Sequence, residues 1–247
     1  MTAILSNIAL PSFGQEFSYA TFEVLAGPDE AYAQVEPVAD DMVPRLRELF
    51  LKHQVEDLAG LSLLHRHFDL NAGVLVWDAA AGKRIEETGQ NLVMVETFVD
   101  GASITKPAVW TDDLVPHTWK LTLSSDGKTV VPMPIEFIRA DDQTPDFKSQ
   151  ALKVSEENLQ PFLHELFAVL KGADLDSVLG VNLVHRRDSL RTKDVFLLRE
   201  VSDDGASIVK PLAPEHGADS IPTSWMFDAN ELVAKPDGCC GRGNSHH

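Results

Sequence analysis

The chain has 247 residues, 44% of them hydrophobic and 24% charged, a balance that supports a packed fold and excludes the disordered, collagenous and membrane-embedded classes. Its 38 acidic residues outnumber 21 basic ones, giving a formal net charge of −17 that repels phosphate. Nucleic acid and membrane are therefore not expected as partners, which leaves a small molecule or a protein.

The first basic residue is Arg45, so the N-terminus has no positive region of the kind a secretory signal carries. The only cysteines, Cys239 and Cys240, are adjacent, and no Asn-x-Ser/Thr acceptor occurs. With no disulfide framework the expected setting is reducing and cytoplasmic.

In chain order, residues 1–39 read as an N-terminal extension packing on the first of two modules. The segment PRLRELF (Pro44 to Phe50) follows, with Val43, Leu46, Leu49 and Phe50 at helical spacing and Pro44 placed near a helix start. Then come short branched, apolar blocks, LSLLHRHF, VLVW and NLVMVETF, which read as strands. Asp100-Gly101 marks a turn, and WKLTLSSDGKTVV reads as a hairpin about Asp126-Gly127.

The same order then recurs. PFLHELF (Pro161 to Phe167) repeats the helical block, and GVNLVHRRDSL (Gly180 to Leu190) repeats GLSLLHRHFDL (Gly60 to Leu70). EVSDDGASIVKP (Glu200 to Pro211) matches ETFVDGASITKP (Glu96 to Pro107) at eight of twelve positions, where residue usage would give about one by chance. IPTSW (Ile221 to Trp225) faintly echoes VPHTW (Val115 to Trp119). The expected fold class is α+β, two tandem diverged modules, each a helix on a mostly antiparallel sheet. Module 1 spans 40–138, a polar linker 139–150, module 2 151–236 and a flexible Cys/His tail 237–247. The first module has an extra strand, GVLVW (Gly73 to Trp77), followed by a linker, DAAAGKRIEETGQ.

Functional candidates start with the repeated His-Arg pair, His65-Arg66 and His185-Arg186. A His near a core rim suits acid-base chemistry and the neighbouring Arg suits anion stabilisation. The competing account makes both structural, each Arg reaching a carboxylate in its own module, with Glu48 and Glu165 as acceptors. His65 and His67 stand two apart on one strand face, a spacing that suits two ligands of one metal. The tail offers Cys239, Cys240, His246 and His247, a donor set for zinc or copper, although adjacent cysteines depart from usual zinc spacing. Lys106 and Lys210, repeated before a proline, and Trp119 and Trp225, repeated near the module ends, are candidates for ligand contact. Their plain alternatives are an exposed cation and a core aromatic. AAAGKR (Ala79 to Arg84) lacks the first glycine and the Ser or Thr of a phosphate loop.

The run LLHRHF (Leu63 to Phe68), preceded by a helix and a glycine, resembles a segment of functionally uncharacterised fungal proteins. That resemblance implies no catalytic role. Three functions are thus expected to compete: a non-catalytic binding protein using the cleft between the modules, an enzyme using a His-Arg pair, and a metal-binding protein using the tail.

Overall fold

The computed structural model describes residues 24–66, 75–78, 83–86, 92–99, 102–109, 114–139, 153–154, 157–184, 197–203, 206–212, 220–227 and 235–241, with side chains at 24–66, 114–137, 153–154, 158–184 and 221–227. Helix α1, Pro28–Val35, starts with a proline that needs no intrahelical amide bond and carries Asp29 and Glu30 in its first turn. A 3-10 turn, Glu36–Val38, leads straight into α2, Ala39–His53. Pro44 therefore lies inside this helix rather than at its start, at the cost of one backbone hydrogen bond. Acids at Asp40 and Asp41 and bases at Lys52 and His53 match the helix dipole. In α3, Gln160–Gly172, Pro161 does occupy the first turn.

Both long helices bury one stripe: Met42, Val43, Leu46, Arg47, Leu49 and Phe50 in α2, and Phe162, Leu163, Leu166, Phe167 and Leu170 in α3. Both are followed by a non-glycine residue in left-handed conformation, Gln54 (φ 56°) and Asp174 (φ 57°). Each turn then enters a strand, β1 (Ala59–Leu63) and β8 (Leu179–Leu183), through matching backbone bonds: Ala59 N to Val55 O at 2.8 Å and Leu179 N to Leu175 O at 2.8 Å.

The other strands are β2 (Leu75–Asp78), β3 (Lys83–Glu86), β4 (Leu92–Val99), β5 (Ala102–Val109), β6 (Leu114–Leu123), β7 (Val130–Arg139), β9 (Leu197–Asp203), β10 (Ala206–Leu212), β11 (Ser220–Met226) and β12 (Lys235–Gly241). The extra strand expected at 73–77 is β2; it pairs with β3, which falls within the segment read as a linker. The remaining ten follow the order β12-β11-β1-β8-β6-β7-β4-β5-β10-β9. Five of them, β11-β1-β8-β6-β7, form an antiparallel sheet with the helices on one face, an α+β arrangement. β4 joins β7 in parallel, and the end strands β9 and β12 lie against one another. Residues 140–150 of the expected linker lie outside the described residues.

At the centre, β1 pairs β8 with Leu61 opposite Val181, Gly60 opposite Asn182 and Ser62 opposite Gly180. Ala59, Leu61, Leu63, Leu179, Val181 and Leu183 meet the helices in one core with Trp119, Trp225, Phe50 and Phe162. Alternation sends Gly60, Ser62, Gly180 and Asn182 to the opposite face. β1 and β8 are buried on both faces.

Candidate functional site

His65 follows directly on β1 and is buried. Its Nδ1 lies 2.8 Å from the Leu63 carbonyl, so the ring donates there and Nε2 carries the lone pair. Burial lowers its pKa below the ordinary 6.5, against the opposing pull of the Glu136 charge and the Leu63 bond. The Arg66 amide donates to Ala26 O at 2.8 Å.

The carboxylates expected to receive the arginines engage other groups. Glu48 accepts from Arg47 at 2.8 Å, and Glu165 accepts from Lys52 at 2.7 Å and meets His53 Nε2 at 2.8 Å. Glu165 thereby ties α3 to α2, and these partners hold its carboxyl below the usual range. The helices leave between them a shallow groove of about 200 Å³ lined by Arg45, Glu48, Leu49, Lys52, Glu165 and Val169. That is below the roughly 300 to 1,000 Å³ of ligand pockets.

Trp119 and Trp225 are core residues, 0% and 5% exposed, and the Trp119 indole Nε1 finds no hydrogen-bond partner among the described residues. Lys106 lies in β5 opposite Val95, and Lys210 in β10 opposite Arg199. Part of the expected flexible tail is strand: Cys239 pairs opposite Pro222 and Cys240 opposite Ile221 in the β11–β12 ladder. His67, His185, Arg186, His246 and His247 lie outside the described residues. Among the described residues no group of three or more His, Cys, Asp or Glu is placed to hold a metal ion. None of the described helices is long and apolar enough to cross a membrane.

A different set of polar residues converges on the sheet face away from the helices. Asn182 of β8 stands opposite Thr118 of β6, which stands opposite Glu136 of β7. Thr118 Oγ1 donates to Glu136 Oε2 at 3.0 Å and lies 3.1 Å from His117 Nδ1. His117 Nε2 is 3.6 Å from Glu136 Oε2, beyond hydrogen-bond range. His117, Thr118 and Asn182 are all under a tenth exposed, as is Ser62 on β1. Asn182 Oδ1 is buried with no hydrogen-bond partner among the described residues; it rests over Gly60, filling space that a side chain there would occupy.

Sequence reading missed this set because its members come from three separate strands. Only a register irregularity at Pro116–Trp119 turns His117 and Thr118 together toward Glu136. The one local signal was the lone acid in VVPMPIEFIR, a strand that is apolar from Val130 to Ile138 apart from it.

No family model, curated protein or solved structure matches the chain.

Proposed function

We propose that the chain is two diverged copies of one module joined about a pseudo-two-fold axis, and that it acts as a non-catalytic protein binding a small ligand at the junction of the copies. Three registers support the duplication. Leu61 and Val181, aligned by the sequence repeat, are direct partners in β1–β8. Ile104 and Ile208, aligned by the GASI blocks, are direct partners in β5–β10. Trp225 pairs with Leu61 as Trp119 pairs with Val181, and the β6–β7 and β11–β12 ladders break at equivalent places, Pro116/Thr118 and Pro222/Ser224. Each copy then lends its tryptophan strand to the other copy's central strand.

The helical blocks need one adjustment within this reading. The PxLxELF motifs are 117 residues apart, whereas Gln54 and Asp174, like Gly60 and Gly180, are 120 apart. Three residues is close to one helical turn, so the buried stripe survives the shift: Met42, Val43, Leu46 and Phe50 correspond to Phe162, Leu163, Leu166 and Leu170.

The observation that carries the binding function is the enclosed Asn182–Thr118–Glu136–His117 row, whose Asn182 oxygen has no hydrogen-bond partner among the described residues. Buried polar groups in a mere scaffold are satisfied, and one left over points to something that arrives later. The enzyme reading has less behind it, since His65 is enclosed and tied to its own backbone. The test is a thermal-shift screen of small metabolites on the wild-type chain and on Asn182→Leu. A true ligand at a hundred times its Kd adds about 2.7 kcal/mol, roughly 5 to 10 °C for a chain of this size. That shift should vanish in the variant. If no compound raises the wild-type melting temperature, or if both proteins respond alike, the reading is wrong.

A further inference from the structure

We infer that the ten-stranded sheet closes on itself at β9 and β12, and that this closing joint is a gate, the strand pair at which the ring parts first. The inference rests on the duplication in the reading above and not on its ligand.

Strand directions follow from the ladders. From β12 the sense alternates through β11, β1, β8, β6 and β7, because each of those pairs is antiparallel. The parallel β7–β4 pair keeps the sense once, and alternation resumes through β5 and β10 to β9. β9 therefore runs parallel to β12. The two strands also lie too close for a further strand to stand between them: their Cα atoms approach within 8 Å, whereas strands flanking a third are about 9.6 Å apart.

The duplication supplies the register. Trp119 faces Pro134 as Trp225 faces Pro236, Thr118 faces Glu136 as Ser224 faces Gly238, and Pro116 faces Phe137 as Pro222 faces Cys239, so β7 and β12 correspond residue by residue. Glu96 faces Thr105 as Glu200 faces Val209, which aligns β4 with β9. The parallel pair β4–β7 sets Met94 opposite Glu136, Val95 opposite Phe137 and Glu96 opposite Ile138, and β9–β12 is its counterpart. Carried across, that register sets Leu198 opposite Gly238, Arg199 opposite Cys239 and Glu200 opposite Cys240.

The two joints differ in strength. β4 and β7 are tied by a backbone ladder, whereas β9 and β12 end the hydrogen-bonded order, with no ladder between them among the described residues. Where β7 has Ile135, Glu136 and Phe137, β12 has Asp237, Gly238 and Cys239, and Asp and Gly are poor strand residues. The same architecture thus closes firmly in one copy and loosely in the other. A pair without a ladder is where local opening costs least, and parting it frees an edge of each strand while the nine ladders of the order stay intact.

Cys239 and Cys240 are the only thiols in the chain, so the seam can be probed with a single new one. Arg199→Cys in a Cys240→Ser background, and Glu200→Cys in a Cys239→Ser background as a second pair, should each form an intramolecular disulfide with the remaining native cysteine under oxidised glutathione, read by mass spectrometry, because direct strand partners lie within disulfide reach. Asp203→Cys in the first background stands four residues, about 13 Å, out of register and should not bond. Ile104→Cys with Ile208→Cys, in a chain lacking both native thiols, tests the β5–β10 joint and with it the duplication separately. In the wild type, amides of β9 and β12 should exchange with solvent at least tenfold faster than those of β4 and β7, and the seam disulfide should abolish the difference. If neither seam pair bonds while the 104–208 pair does, the inference falls and the duplication stands; failure of the 104–208 pair alone counts against the duplication and leaves the closure upheld, and failure of all sinks both. Bonding of the Asp203→Cys variant as readily as of Arg199→Cys, equal exchange at the two joints, or a difference that survives the disulfide overturns the gate.

Discussion

Gly60 and Gly180 hold the central ladder together by having no side chain, and replacing each by alanine tests the packing of that junction. A Cβ at Gly60 would come 2.7 Å from the Trp225 carbonyl oxygen and 2.9 Å from Asn182 Oδ1. A Cβ at Gly180 would collide with the Trp119 carbonyl oxygen and lie 2.8 Å from Leu64 Cδ2. In both cases the obstacle includes backbone of a neighbouring strand, which cannot swing aside as a side chain can. Overpacking of this kind costs about 1 to 3 kcal/mol, and Gly180→Ala, with the closer approach, belongs at the upper end. Alanine recovers only about 0.5 to 1 kcal/mol of backbone entropy in a strand, so the clash wins. The melting temperature should fall by about 2 to 4 °C per kcal/mol lost, and the urea midpoint should fall with it. Gly172→Ala at the end of α3, where a Cβ meets nothing within 4 Å, is the control and should be neutral or mildly stabilising. If both strand variants match or exceed wild-type stability, the close approach of β11 to β1 and of β6 to β8 is not as described.

Two further predictions concern single residues. The depressed pKa of His65 means that the unfolded chain binds its proton more readily, so His65 stabilises the fold above its unfolded value of 6.5 and loses that contribution as pH falls toward its folded value. Urea unfolding at pH 7.5 and 5.5 should show a larger loss for the wild type than for His65→Gln; equal losses would contradict the burial argument. Gln54 and Asp174 hold left-handed backbone at a cost that glycine avoids, so Gln54→Gly and Asp174→Gly should each raise stability by about 0.5 to 1 kcal/mol in the same assay, and a loss in either would refute it.

The helices were legible because a buried stripe at helical spacing is a local property: Leu46, Leu49 and Phe50 announce it, as do Phe162, Leu163 and Leu166. The hairpin about Asp126-Gly127 was legible for the same reason, since a tight turn needs particular residues at its apex. The start of α2 was not, because Pro44 suggested a boundary that the preceding 3-10 turn carries past. Partner choice between strands is non-local. Nothing within VPHTW or IPTSW says that the first will pair with β8 and the second with β1, so a reading as two side-by-side modules did not foresee the order β11-β1-β8-β6. The His-Arg motif drew attention because it was repeated. The enclosed row did not, because His117 and Glu136 have no match in the repeated sequence blocks.

That contrast has a physical basis. In the duplication proposed above, a residue present in both copies sits in equivalent surroundings on either side of the axis, and the simplest reason to keep it twice is that the fold needs it twice. Gly60 and Gly180 are of this kind, each lying against a tryptophan carbonyl from the other half, as are Trp119 and Trp225 in the core. A binding site for one asymmetric ligand has no need of the axis and is free to appear where the halves differ. Asn182 aligns with Ser62 in the sequence repeat, Thr118 differs from Ser224 by a methyl, and Glu136 pairs with Thr118 as Gly238 pairs with Ser224. Under the duplication proposed above, the repeated residues belong to the scaffold, and the buried polar residues that break the repeat are where the proposed ligand is to be sought.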